Sequence, residues 1–144
     1  MRTYLDTSAL VKLLIVEDGS IALAEALVGA SVWTSRASYV EARAAVARRE
    51  REASATREAC VAARSQLQAD WPAYTIVELS PGLAETAAEF AETFALRGFD
   101  AIQLASAHLV KSNALEPVSF FAFDRRLNRA ARLLGLTLPS GVLL

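Results

Sequence analysis

With one cysteine, Cys60, and one histidine, His108, the chain lacks the side chains on which several common chemistries depend. A lone cysteine cannot close an internal disulfide, which fits a reducing compartment. A lone histidine leaves no His-rich set for zinc, and no histidine pair to serve as acid and base in metal-free RNA cleavage. His108 falls within an apolar helical run and reads as structural, and Cys60, among alanines, reads as a small packed residue. Six glycines form neither a Gly-x-Gly-x-x-Gly nor a Walker A run, so the phosphate cradles of nucleotide-binding folds are missing. A Gly-x-Ser-x-Gly elbow is also absent. Asp6-Thr7-Ser8 lacks the second aspartate that a phosphatase forming an aspartyl-phosphate would carry. Uncharged stretches stay well short of the ~20 residues of a membrane helix. Met1–Ile15 is interrupted by Asp6 and Lys12 and is not followed by a small-residue cleavage pattern, so no export signal is read and a cytoplasmic location is expected.

Repeats, low-complexity tails and Pro/Gly-rich linkers are missing too. What remains is 144 residues, 53% hydrophobic and 22% charged, with a mean hydropathy of +0.28. This is enough for one domain with its own core, expected to span 1–144. The slight apolar excess is of the kind a subunit interface buries. A net charge of −1 gives no general attraction to nucleic acid, so any such contact must come from local clusters of the unevenly placed arginines.

The apolar pattern alternates between short β-like runs and longer helical ones. Strands are expected at Thr3–Leu5, Ser31–Thr34, Tyr74–Leu79, Val118–Phe123 and Leu136–Leu138. Helices are expected at Ser8–Ile15, Ile21–Val28, Ala37–Glu52, Thr56–Ala69, Leu83–Leu96, Ala101–Lys111 and Arg125–Leu134, with Arg97-Gly98-Phe99 a tight connection. This alternation predicts an α/β fold, a parallel sheet covered by helices on both faces. Ligands of such sheets bind beyond the carboxyl ends of the strands.

Four acids fall at that edge. Asp6 follows the first strand and Asp124 the fourth. Glu41 lies early in the helix after Ser31–Thr34, and Asp100 opens the helix Ala101–Lys111. Each could simply cap a helix, and Ser38-Tyr39-Val40-Glu41 even has capping-box spacing. Their convergence on one edge argues for more. Clustered carboxylates repel and raise one another's pKa unless a cation compensates them, and an all-carboxylate set suits Mg²⁺ or Mn²⁺.

These residues resemble the PIN-domain nucleases, and most closely the VapC toxins of toxin–antitoxin pairs. The likeness is carried by Tyr4-Leu5-Asp6-Thr7-Ser8-Ala9-Leu10, by Ser38-Tyr39-Val40-Glu41-Ala42 and by Arg97-Gly98-Phe99-Asp100-Ala101-Ile102-Gln103-Leu104-Ala105. Phe123-Asp124-Arg125-Arg126-Leu127 completes an ordered set that spans nearly the whole chain. The resemblance implies a three-layer α/β/α PIN-like domain with four to five parallel strands. It implies that Asp6 and Asp100 are the principal metal ligands, that Glu41 and Asp124 complete the acidic pocket, and that Thr7 and Ser8 support the first aspartate. It also implies Mg²⁺- or Mn²⁺-dependent hydrolysis of RNA, a homodimer, and a small antitoxin protein as partner. Arg125 and Arg126, at a helix start beside Asp124, and Arg43, beside Glu41, are candidate phosphate contacts, with surface ion pairs as the competing reading. Arg48–Asp70 matches no motif. Two other readings stand beside the toxin: a PIN nuclease of RNA processing or DNA, and a non-catalytic interaction module whose acids only cap helices.

Overall fold

In a computed structural model, residues 1–139 are described. Four parallel strands form the sheet: β1 (Arg2–Leu5), β2 (Ser31–Ser35), β3 (Thr75–Val77) and β4 (Val118–Phe121), in the order β3-β2-β1-β4. Tyr4 pairs with Trp33 on one side and with Phe120 on the other. Strand order reverses at β1, because the chain moves outward to β2 and β3 and then crosses back to lay β4 on β1's free side. The carboxyl ends of β1 and β4 therefore flank the crevice where doubly wound sheets bind ligands.

Seven α-helices connect the strands: α1 (Thr7–Leu14), α2 (Ser20–Ala26), α3 (Arg36–Arg51), α4 (Arg57–Asp70), α5 (Pro81–Phe94), α6 (Gly98–Ser112) and α7 (Arg125–Leu133). Alternation along the strands sends Tyr4 and Phe120 to one face and Leu5 and Phe121 to the other. On the first face Leu104, Ala105 and Leu127 pack against Tyr4, Val118 and Phe120, so α5, α6 and α7 form one outer layer. On the second face Ala9 and Leu23 meet Leu5 and Phe121. The α3–α4 hairpin extends this layer, with Ala42 and Leu67 on Leu10 and Val11 and Val46, Cys60 and Ala63 on Ile15. Cys60 is a fully buried packing residue, as its alanine-rich setting suggests. His108 packs edge-on against Phe90, with ring centroids 5.4 Å apart.

Most element boundaries fall within two residues of expectation; three features differ more. Leu136–Leu138 is not a strand; Thr137 alone bridges to Ser119, because the chain has only just left α7 through Gly135, at φ +81°. Trp71–Ala73 forms a 3-10 turn between α4 and β3, with Pro72 near its start. Gly98 and Phe99 belong to α6 and not to a connection, which moves Asp100 from the helix start into its first turn. Among the described residues, no helix is long and apolar enough to cross a membrane.

Candidate active site

Asp6 terminates β1 and caps α1. Its Oδ1 accepts hydrogen bonds from the Ala9 backbone N–H (2.9 Å) and from Ser8 Oγ (2.7 Å). The Ser8 hydroxyl also accepts the Phe123 N–H at 3.0 Å, which fastens the end of β4 to the start of α1. Asp124 caps α7 in the same way, its Oδ1 taking the Leu127 N–H at 2.9 Å. The turn before it is held by Asn128, whose Nδ2 donates to the Ala122 carbonyl.

Capping thus accounts for one oxygen of Asp6 and one of Asp124, but for neither of the other acids. The N-cap of α3 is Ser35, and Glu41 stands more than a turn inside the helix. The N-cap of α6 is Arg97, which makes no side-chain capping bond. Asp100 lies in the first turn, its Oδ2 3.6 Å from the Arg97 guanidinium.

Glu41 is fixed by two donors on Oε1: Thr7 Oγ1 at 2.8 Å and Gln103 Nε2 at 3.0 Å. Ser8 donates to Asp6, whereas Thr7 has no hydrogen bond to it among the described residues. Thr7 stands at the first position of α1, and its hydroxyl faces α3 and α6, donating to Glu41 Oε1 and accepting from Gln103 Nε2. The same Gln103 nitrogen also approaches Thr7 Oγ1 and Ser38 Oγ, each at 3.0 Å, so its two hydrogens are shared among three acceptors. Its Oε1 accepts the Tyr4 hydroxyl at 2.6 Å. One buried amide therefore ties β1, α1, α3 and α6 together beneath the acids.

The four acids line a single cavity of about 670 Å³. In each carboxylate one oxygen is engaged by the protein and the other has no protein hydrogen bond among the described residues. Burial pushes the Asp6 carboxyl up to about 7; the Ala9 and Ser8 donors oppose this, and the charges of Asp100 and Glu41 add to it. Asp100 is also raised, by burial and by Asp124, against the lowering effect of Arg97. Free oxygens on mutually repelling acids are the donor set a hard divalent cation needs. No three of them are drawn together into a closed cage among the described residues. Mg²⁺, which keeps several waters and takes one or two carboxylates, does not require one.

Cations also reach this cavity, though not those singled out from the sequence alone. Lys12, Arg48, Arg49 and Arg97 line it, whereas Arg43 lies outside the lining, its guanidinium 6.0 Å from the Tyr39 ring. Arg125 and Arg126 line an adjoining cleft of about 410 Å³ that shares Arg97, Asp100 and Asp124 with the main cavity. Lys12 and Arg49 converge on Glu17, at 3.1 Å and 2.6 Å. Partial burial would raise the Glu17 carboxyl, but Arg49 and Lys12 outweigh it and hold it below the usual range. Gly19, at φ +90°, is needed beside this cluster, since a Cβ there would also meet Phe123 Cε1 at 3.3 Å.

The PIN-domain family model matches residues 3–133 of the chain. Ribonuclease VapC45 and Ribonuclease VapC49, both from Mycobacterium tuberculosis, are each 38% identical over 134 residues, covering 92% of this chain and 90% of theirs. Among solved structures, a toxin–antitoxin complex from Klebsiella pneumoniae superposes with a TM-score of 0.64 at 14% identity, over 99% of this chain and 95% of that one. VapBC2 from Rickettsia felis, bound to a DNA fragment from its promoter, gives 0.63 at 15% identity, over 96% and 98%. At those identities the two structures speak to the fold alone.

Proposed function

The chain belongs to the PIN-domain family, and on that premise we propose that it is a divalent-metal-dependent endoribonuclease acting as the toxin of a toxin–antitoxin pair. One observation supports this above the rest. Four carboxylates from four separate elements line one cavity, each with an oxygen left without a protein partner. Two of them do no capping at all, which leaves the interaction-module reading without an account of Glu41 and Asp100.

Asp6 and Asp100 are the principal ligands of Mg²⁺ or Mn²⁺ in this proposal, with Glu41 and Asp124 completing the set directly or through water. The chemistry such an ion supplies when bound is neutralisation of the scissile phosphate and a lowered pKa for the attacking water. The protein's own work is positional. Ser8 and Ala9 hold Asp6 Oδ1 and so aim Oδ2 into the cavity. Thr7 and Gln103 hold Glu41 Oε1, leaving Oε2 to orient the water or take its proton. Arg97, Arg125 and Arg126 flank Asp100 and Asp124, where they would meet the phosphates on either side of the cut. His108, packed on Phe90 away from the acids, takes no part.

The whole chain, 1–144, acts as one domain, a homodimer in the cytoplasm, silenced by a small antitoxin encoded beside it. The VapC ribonucleases of 38% identity support the RNA substrate, and the assemblies in which the two structures of like fold occur, a toxin–antitoxin complex and VapBC2, are in keeping with the partner. The test is cleavage of RNA by purified protein in Mg²⁺ or Mn²⁺. The downstream fragment should carry a 5′-phosphate and be degraded by a 5′-monophosphate-dependent exonuclease. EDTA and Asp100→Asn should each abolish cleavage. Cyclic-phosphate ends, or full activity in EDTA, would refute the mechanism. Induced expression should arrest growth and co-expression of the neighbouring gene should relieve it; no arrest at a verified protein level counts against the toxin role.

A further inference from the structure

Of the eleven aromatic side chains, two Trp, three Tyr and six Phe, ten are buried or half-buried and one is exposed, Phe99 at 56%. That one lines the acidic cavity. It stands in the first turn of α6 immediately before Asp100, so its Cα lies about 3.8 Å from that of a proposed metal ligand. Among the described residues it has no aromatic partner, and the approach past Gly98 is open, since even a Cβ there would meet none of their atoms within 4 Å. Arg97, on the other side of Gly98, points into both the main cavity and the adjoining arginine-lined cleft.

We propose that Phe99 is the stacking platform for the unpaired base next to the scissile phosphate. This rests on the nuclease reading. A phosphodiester that reacts at Asp100 brings its flanking nucleotide to the first turn of α6, where an exposed ring lines the same cavity as the Arg97–Asp100 pair. Every base presents a π-face, so stacking holds a nucleotide without requiring a particular sequence, while Arg97 meets the adjoining phosphate. A ring on a helix has few rotamers to lose and is ready before substrate arrives. The arrangement selects single-stranded or looped RNA, because a paired base cannot turn onto the ring.

The experiment offers a random-sequence single-stranded RNA pool to the wild type and to Phe99→Ala, Phe99→Leu, Phe99→Tyr and Phe99→Trp in Mn²⁺, with 5′ ends sequenced. The most frequently cut sequence is then made as oligonucleotides abasic at each position flanking the cut. Because the ring is exposed, all variants should unfold within about 2 °C of the wild type. Ala and Leu should lower kcat/KM about tenfold, mostly through KM, in line with the loss of one stacked base. Tyr and Trp should keep it. One abasic position should cost the wild type about as much, and cost Phe99→Ala nothing further. Overturning results are Leu cleaving like the wild type, additive losses from the abasic site and Phe99→Ala, or an Ala variant that cuts normally but escapes its antitoxin, which would make Phe99 a protein contact. A wild-type protein that cuts no RNA overturns the nuclease reading and this proposal with it.

Discussion

Replacing Asp6 by Asn should stabilise the metal-free protein, and by an amount that depends on pH. The Asp6 carboxyl, ordinarily near 3.8, is pushed up to about 7 by burial. Between those values the folded chain keeps a proton that the unfolded chain has released, so stability falls as pH rises from about 4 and levels off above about 7. Each pH unit corresponds to ~1.4 kcal/mol, which puts the full loss near 4 kcal/mol as an upper bound. Allowing for local relaxation, about 2–4 kcal/mol is expected, or roughly 6–12 °C in Tm for a domain of this size. Asn retains the accepting Oδ1 that Ala9 and Ser8 use, so the cap survives. Asp100 also titrates high and is present in both proteins, so the difference between them reports Asp6 together with its coupling to Asp100 and Glu41. The assay is urea or thermal unfolding in EDTA from pH 4.5 to 8.5. The two proteins should coincide at the acid end and diverge toward pH 8 with the variant the more stable. Saturating Mg²⁺ should then restore the wild type, by about 2.7 kcal/mol at a hundred times Kd, and leave the variant unmoved. A gap that is constant with pH, or a variant less stable throughout, would show that Asp6 is a cap and nothing more.

Three further outcomes follow from geometry elsewhere. Gln103→Leu strands the buried Tyr4 hydroxyl and leaves Thr7 as the remaining donor to Glu41; it should cost about 1–3 kcal/mol in urea unfolding and lower kcat about tenfold, with KM changed less. Glu17→Gln releases Lys12 and Arg49 at the cavity wall; KM for RNA should fall several-fold and its salt dependence steepen, read from a plot of log KM against log salt. Ala95 closes α5 at φ +52°, a left-handed conformation costly for any residue with a Cβ, and Ala95→Gly should raise stability by about 1 kcal/mol in denaturant unfolding.

The strands and most helices were legible because their apolar periods are long and their boundaries carry Ser, Thr, Asp or Gly. The acids are legible as a set at one sheet edge, Asp6 and Asp124 because each follows an apolar strand, Glu41 and Asp100 because each sits near the start of a helix. Leu136–Leu138 misled because three apolar-leaning residues fix no pairing, and only Thr137 reaches the sheet. Gln103 lies in the Arg97–Ala105 motif but carries no signal of its role, because one Gln between Ile102 and Leu104 has the look of a surface position. Its meaning arises only when Tyr4, Thr7, Ser38 and Glu41 are brought around it by folding. The same holds for Lys12, Glu17 and Arg49, whose pairing spans α1, the following turn and α3. Arg-Gly-Phe resembles a turn, which hides Phe99 in the sequence, yet the helix begins at Gly98 without any side-chain cap.

Laying β4 against β1 has a consequence for synthesis. Tyr4 and Leu5 leave the ribosome early but wait for Phe120 and Phe121 before β1 has its second neighbour. Until then the backbone N–H of Asp6 lacks the Phe121 carbonyl that receives it, 3.1 Å away in the finished fold, and Ser8 lacks the Phe123 N–H that locks it. Long-range pairings of this kind form last, since the chain between them must be closed first. A nascent chain stalled ahead of Val118 should therefore cut nothing, however well its helices have formed. The cell that makes this protein is exposed to its chemistry only when the final parallel strand clips into place.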